Sequence, residues 1–204
     1  VSDDLAIRPI ADDDLDAVLD VYRQCEDFLA LGPVPDASLT MVLSDIGLSQ
    51  ACGGCYCGIY IMDGRMIGIV DYVPRNYEGD PRAAYIALLM IAAPFRRRGI
   101  GQAVLEAIEK KIRRDAQVNT ILAGLQVNNP QAIHFWQRNG YRIVGGPELM
   151  PDRTTVYHLR KDLTPPSAPE PCTHHAARDS SRCGAQYDTH HTARSTQYAV
   201  KYEV

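Results

Sequence analysis

The sequence predicts an α+β protein with a mixed, mostly antiparallel central sheet of six to seven strands, flanked by helices and followed by a C-terminal tail. Three observations predict it. Short β-rich runs are separated by turn residues, and four stretches space apolar side chains at the period of a helix. Beyond residue 163 the large apolar side chains stop, with no Leu, Ile, Met, Phe or Trp between 165 and 204.

Taken in order, residues 5–9 form a short strand. Asp12, Asp13 and Asp14 then supply N-cap and first-turn carboxylates for a helix whose Leu15, Val18, Leu19 and Tyr22 share a face. Gly32, Pro33 and Pro35 break the chain. A second helix over 37–49 aligns Leu39, Val42, Leu43 and Ile46. Strands over 58–62 and 65–73 are joined by Asp63 and Gly64, residues that accept the positive φ angles of a tight hairpin turn. A polar loop over 74–81 holds Glu78 and Asp80. The run AAYIALLMIA over 83–92 suits a strand buried on both faces.

From Ile100 the period changes. Ile100, Val104, Ile108 and Ile112 recur every four residues, and Lys111, Arg113 and Arg114 gather in the last turn, where the helix dipole favours cations. A strand over 120–127 follows. Asn129 and Pro130 then give an N-cap with proline at the first helical position, and that helix stops at Gly140. Strands over 141–144 and 154–160 complete the sheet. This divides the chain into a folded domain, 1–163, and a low-hydrophobicity tail, 164–204. The tail cannot offset its own ordering entropy by burial, although residues 198–204 form a weak strand able to add to a sheet edge.

Composition narrows the function. The 204 residues, 46% hydrophobic and 23% charged, make a globular chain and exclude collagen-like or wholly disordered classes. No apolar run reaches a membrane span, and Asp3 and Asp4 stand where a secretory leader carries positive charge, so a cytoplasmic protein without membrane contact is expected. The net charge of −4 disfavours a nucleic-acid partner. It is unevenly spread, at −9 over residues 1–60, +5 over 61–164 and zero beyond, which favours an anionic ligand in the middle and a cationic one near the start. Cys52, Cys55 and Cys57 lack the second pair that a tetrahedral zinc site needs, so reduced thiols beside a strand are expected. The tail's four histidines, with Cys172 and Cys183, give composition without geometry.

The segment Arg96-Arg97-Arg98-Gly99-Ile100-Gly101-Gln102 lies between the most buried strand and the best helix. A turn there aims backbone N–H groups and a helix N-terminus at one spot, glycine allows close approach, and arginines add charge-assisted donors: a site for phosphate or pyrophosphate. The Gly-Lys-Ser/Thr of a nucleoside triphosphatase is absent. A dinucleotide fold fits poorly, because Val104 stands where its third glycine belongs.

The segment resembles the Arg/Gln-x-x-Gly-x-Gly/Ala signature of the GCN5-related N-acetyltransferase (GNAT) family. Downstream, Asn129 to Tyr141 is similar to that family's Asn-x-x-Ala helix ending in Gly-Phe/Tyr. The order of elements over 5–162 is similar too. The resemblance implies the acyl-CoA N-acyltransferase fold, with acetyl-CoA as co-substrate and no metal required. Its pyrophosphate would bind residues 96–102 and its pantetheine the backbone near Met90 and Ile91, flanked by Asn129 and Phe135. An acetyl group would pass directly to a primary amine, of a small molecule or a peptide, in a ternary complex.

Direct transfer needs a neutral amine. A lysine-like amine of pKa about 10.4 is neutral in roughly one molecule in 2,500 at pH 7, a handicap of about 4.6 kcal/mol, so a proton acceptor is required. Glu78 and Asp80, in the loop before the central strand, are the positioned catalytic candidates, with Tyr85 near the start of that strand behind them. Glu26 and Asp27 are candidates for a cationic acceptor. Where many family members place a tyrosine as general acid, this chain has Trp136, whose indole cannot donate a proton near neutral pH. That departure keeps open a non-catalytic acyl-CoA-binding module; a dinucleotide-dependent oxidoreductase is the remoter alternative. A homodimer is compatible with all three.

Overall fold

The structure, a computed structural model, describes residues 5–163 and the backbone of residues 201–203. Seven strands, β1 (Leu5–Pro9), β2 (Cys55–Ile61), β3 (Met66–Val73), β4 (Ala83–Ile91), β5 (Thr120–Gln126), β6 (Arg142–Leu149) and β7 (Thr155–Asp162), lie in the order β1-β2-β3-β4-β5-β7-β6. All neighbours are antiparallel except β4 and β5. An eighth strand, β8 (Lys201–Glu203), pairs in parallel with β4 alone.

Helices cover both faces, as the apolar periods require. On one, α4 (Ile100–Ile112) and α5 (Pro130–Arg138) pack Val104, Leu105, Ile108 and Trp136 against Ile59, Ile86, Leu89 and Ile121. On the other, α1 (Leu15–Arg23), α2 (Glu26–Leu29) and α3 (Leu39–Ala51) pack Val18, Tyr22, Phe28 and Val42 against Ile69, Leu88 and Met90. Every residue of β4 is buried, which is why its sequence carries no alternation.

Local chemistry sets the boundaries. Ser38 caps α3 by accepting from the Met41 amide, and Asn129 caps α5 by accepting from Ala132 at 3.0 Å. The Asp12–Asp14 run is a separate 3-10 turn before α1, because Asp14 accepts from the Ala11 amide and pairs with Arg8. The short α2, a second 3-10 turn at Ala93–Phe95 and the length of β6 were not legible in the periodicity. Among the described residues Cys25, Cys52, Cys55 and Cys57 are free thiols, and no group of three or more His, Cys, Asp or Glu is placed to hold a metal. No helix there is long and apolar enough to cross a membrane. The tail's histidines and its two cysteines lie outside the described residues.

One irregularity positions the site. In the β3–β4 ladder the register shifts between Asp71, opposite Leu88, and Tyr72, opposite Ile86, so Ala87 is an extra residue in β4. Such a bulge bends its strand. The pairing of β4 with β5 runs only from Ala83↔Thr120 to Ile86↔Ala123, while β5 continues beside β7 to Gln126↔Val156. The two parallel strands therefore part after Ile86, leaving a fork between Leu88–Ile91 on one arm and Gly124–Gln126 on the other. The tail strand expected at a sheet edge lies here, in register Leu88↔Lys201 to Met90↔Glu203.

Candidate active site

At the mouth of the fork, beyond Ile91, the chain turns through residues 96–99 into α4. Arg97 and Gly99 both take positive φ, 59° and 79°, which turns successive amides toward one side. Glycine suits the second position because it has no Cβ to strain. The amides of residues 97–102 have no hydrogen-bond acceptor among the described residues. A cavity of about 670 Å³ opens against them, lined on the near side by Ile91, Arg97, Gly99 and Gln102, and on the far side by α5. The free donors and the helix N-terminus make it a cradle for a doubly charged anion.

The arginines of the loop divide their work. Arg97 lines the cavity, whereas Arg98 turns outward, 5.7 Å from the Phe95 ring. Arg96 borders the cavity, yet its guanidinium is bound within the fold: Nε donates to the Ile91 carbonyl at 2.7 Å and NH1 to Asp27 at 2.7 Å. It ties the loop to α2 and to the end of β4. Asp27, expected near a cationic acceptor, is thus engaged with Arg96, and Glu26 accepts from the Ala37 amide at 3.1 Å, fixing the approach to α3. Both carboxylates hold the wall of the neighbouring pocket.

Phe135 lines the cavity, while Asn129 is buried at the head of α5. Gln131, His134, Arg138 and Asn139, to which the sequence assigns no part in cofactor binding, face the loop across the same cavity. Their spacing with Phe135, at 131, 134, 135, 138 and 139, is one helical stripe, a signal present in the sequence. Trp136 faces the other way, fully buried and edge-on to Phe135 and Tyr141.

A second pocket of about 370 Å³ adjoins the other arm of the fork. Its walls are largely apolar, from Phe28, Leu29, Val34 and Met41, with Asp45, Asp152 and Gln126 as polar points. Asp45 accepts from the Tyr22 hydroxyl at 2.6 Å. Gln126, 5% exposed, has no hydrogen-bond partner for its side-chain oxygen Oε1 among the described residues. A third, smaller cavity of about 160 Å³ lies on this same helix-covered side, around Tyr85 at the base of the fork, and Glu78 lines it. Tyr77 and Tyr85 stack there at 4.1 Å, and burial, reinforced by Tyr85 and Glu78, pushes the Tyr77 hydroxyl up so that it stays protonated.

A bulged, buried strand parting from its parallel neighbour above an anion cradle defines the acyl-CoA N-acyltransferase type of fold. The same architecture occurs in an acetyltransferase from Thermus thermophilus, with a TM-score of 0.65, 20% identity, and 78% of this chain and 97% of that one covered. It occurs also in a spermidine N-acetyltransferase from Vibrio cholerae in complex with CoA and spermine, with a TM-score of 0.62, 14% identity, and 79% and 96% covered. Residues 15–141 match the model of the acetyltransferase (GNAT) family, and the chain belongs to that family. A curated relative, N-alpha-acetyltransferase 50 of Danio rerio, is 29% identical over 97 residues, 46% of this chain; the chain spans 58% of that relative's length.

Proposed function

We propose that the protein is an acetyl-CoA-dependent N-acetyltransferase that passes the acetyl group directly to a primary amine held in a ternary complex. The observation that carries this reading is the fork with the amide cradle at its mouth: a linear cofactor arm that runs from a pyrophosphate to a thioester matches both. The amides of 97–102, with Arg97 and Arg138, would hold the pyrophosphate. The backbone of Leu88–Ile91 would pair with the amides of pantetheine, leading the thioester toward the base of the fork. Acetyl-CoA supplies the activated acyl group; the chain supplies position, a dry wall and a route for the amine's proton.

The acceptor would enter from the second pocket. Apolar walls with a few carboxylates suit an ammonium on an apolar stem, such as a peptide N-terminus whose first side chain is apolar. A polyamine would need more carboxylates along its length than Asp45 and Asp152 provide.

Calorimetry with CoA, acetyl-CoA and NAD, followed by thiol release from acetyl-CoA with a peptide bearing a free α-amine or with spermidine, tests the reading. Binding of CoA with peptide-dependent thiol release is expected. CoA binding without release to any amine selects the non-catalytic module. Stabilisation by NAD alone would overturn the reading.

A further inference from the structure

His158 on β7 stands directly opposite Gly124 of β5 and is paired across the other ladder with Gly145 of β6. Neither neighbouring strand carries a side chain at its level, and a Cβ on Gly145 would stand 3.4 Å from the ring, so among the described residues glycine leaves the imidazole its room on the sheet face that α2 and α3 border. That level is the base of the fork, one residue beyond Ala123, the last β5 residue paired with β4. The ring lines the third cavity together with Tyr85 and Glu78. Its Nε2 lies 2.6 Å from Glu148 Oε2 on β6. With Nε2–H donating to that carboxylate, the Nδ1 lone pair is left to take a proton, and the resulting imidazolium is paired.

We infer that His158 is the proton acceptor of the transfer, with Glu148 as its positioning residue. The inference rests on the acetyltransferase reading and deepens it. In the step, the acceptor nitrogen forms a bond to the thioester carbonyl carbon, the C–S bond breaks, the nitrogen's proton goes to His158 Nδ1 directly or through one water, and the thiolate of CoA leaves and is protonated by solvent. The other titratable groups facing the ring are Glu148 from β6 and Tyr77, Glu78 and Tyr85 around the cavity.

The test is thiol release with a free-α-amine peptide or spermidine across pH 5.5–9.5 for the full chain, His158→Ala, His158→Gln and Glu148→Gln, with CoA affinity measured alongside. The expected result is a loss of about 100-fold or more in kcat for both His158 variants. CoA affinity should stay within twofold, the acidic limb of the profile should vanish, and added imidazole should partly rescue His158→Ala. Glu148→Gln should lose about tenfold and shift the limb. His158 variants within threefold of the parent at every pH would overturn the inference and leave the reading standing. A parent chain that retains no CoA would overturn both.

A separate observation concerns β8. Since β3 holds the other side of β4, the pairing Leu88↔Lys201 to Met90↔Glu203 places β8 inside the fork, along the edge assigned above to pantetheine. One edge cannot pair with both. The geometry points to a self-blocking strand, in which residues 201–203 must leave before acetyl-CoA seats. Consecutive prolines, Tyr202→Pro with Glu203→Pro, delete a backbone donor on either side of the strand, so one deletion faces β4. The double variant should bind CoA about five- to twentyfold more tightly, and CoA should reciprocally raise amide exchange at 201–203 in the parent. Equal affinity in both chains, or exchange unaffected by CoA, would overturn this. An absence of CoA binding in both would overturn the acetyltransferase reading as well.

Discussion

Arg96 and Asp27, 69 residues apart, are bound to each other at 2.7 and 3.2 Å. The sequence suggests a separate ligand for each, phosphate for the arginine and a cationic acceptor for the aspartate. The fold joins them instead into a strut between the loop that precedes α4 and α2. Arg96 is largely buried and also holds the Ile91 carbonyl, whereas Asp27 is 62% exposed at its side chain. Arg96→Ala should therefore cost about 1–2 kcal/mol of stability and raise the KM for acetyl-CoA. Asp27→Asn should change stability by less than about 1 kcal/mol. Thermal melts and initial rates for the two variants check this.

Gly99 holds φ at 79° with nothing within 4 Å of where a Cβ would stand. The cost of Gly99→Ala is therefore backbone strain alone, about 1 kcal/mol in the free protein. Because the strain falls on the amides of the cradle, CoA affinity should fall about tenfold, which calorimetry measures.

Asp71 makes the pH dependence of stability testable. It is buried on β3, and burial pushes its carboxyl up to about 6 although Ser49 donates a hydrogen bond to it at 2.6 Å. A carboxyl raised from 3.8 binds its proton more tightly when folded. Its contribution is thus favourable below about pH 4 and is lost as pH rises through about 6. The loss is about 2–3 kcal/mol. Asp71→Asn keeps an acceptor for Ser49 and removes the ionisation, so it should raise stability near pH 7.5 and leave it little changed at pH 4. Urea unfolding at the two pH values decides.

Gln126 brings a buried side-chain amide oxygen, without a hydrogen-bond partner among the described residues, to the second pocket. Gln126→Leu removes that unmet acceptor and should leave the fold as stable or slightly more so. If the amide orients the incoming amine, KM for the peptide should rise about tenfold while CoA affinity holds. A split between acceptor and cofactor parameters is the reading to take.

Trp136→Tyr tests whether the family tyrosine is the missing acid. The indole is fully buried against Phe135 and Tyr141, so the smaller ring leaves a void and should cost about 1–3 kcal/mol. Turnover should not rise, since the side chain points into the core and lines none of the three cavities described above.

Much of the fold was legible because its signals are local. The hairpin at Asp63 and Gly64, the cap at Asn129, the four-residue period of α4 and the unbroken apolar run of β4 each need only neighbours along the chain. The cradle was legible for the same reason: its amides are consecutive. The short α2 was not, since four residues carry too little period, and the continuation of β6 beyond residue 144 was not, because an exposed, irregular edge strand lacks clean alternation.

The sequence by itself determined the three longer apolar-faced helices and α5, most of the strands, the anion loop and the family resemblance, all of which depend on residues close together in the chain. Only the tertiary structure decided that Arg96 spends its charge on Asp27, that His158 meets Glu148 beside two glycines, and that residues 201–203 reach Leu88–Met90. These pairings join residues 10 to 113 positions apart. Strand order and register fix them, and no local pattern records which strand will lie beside which.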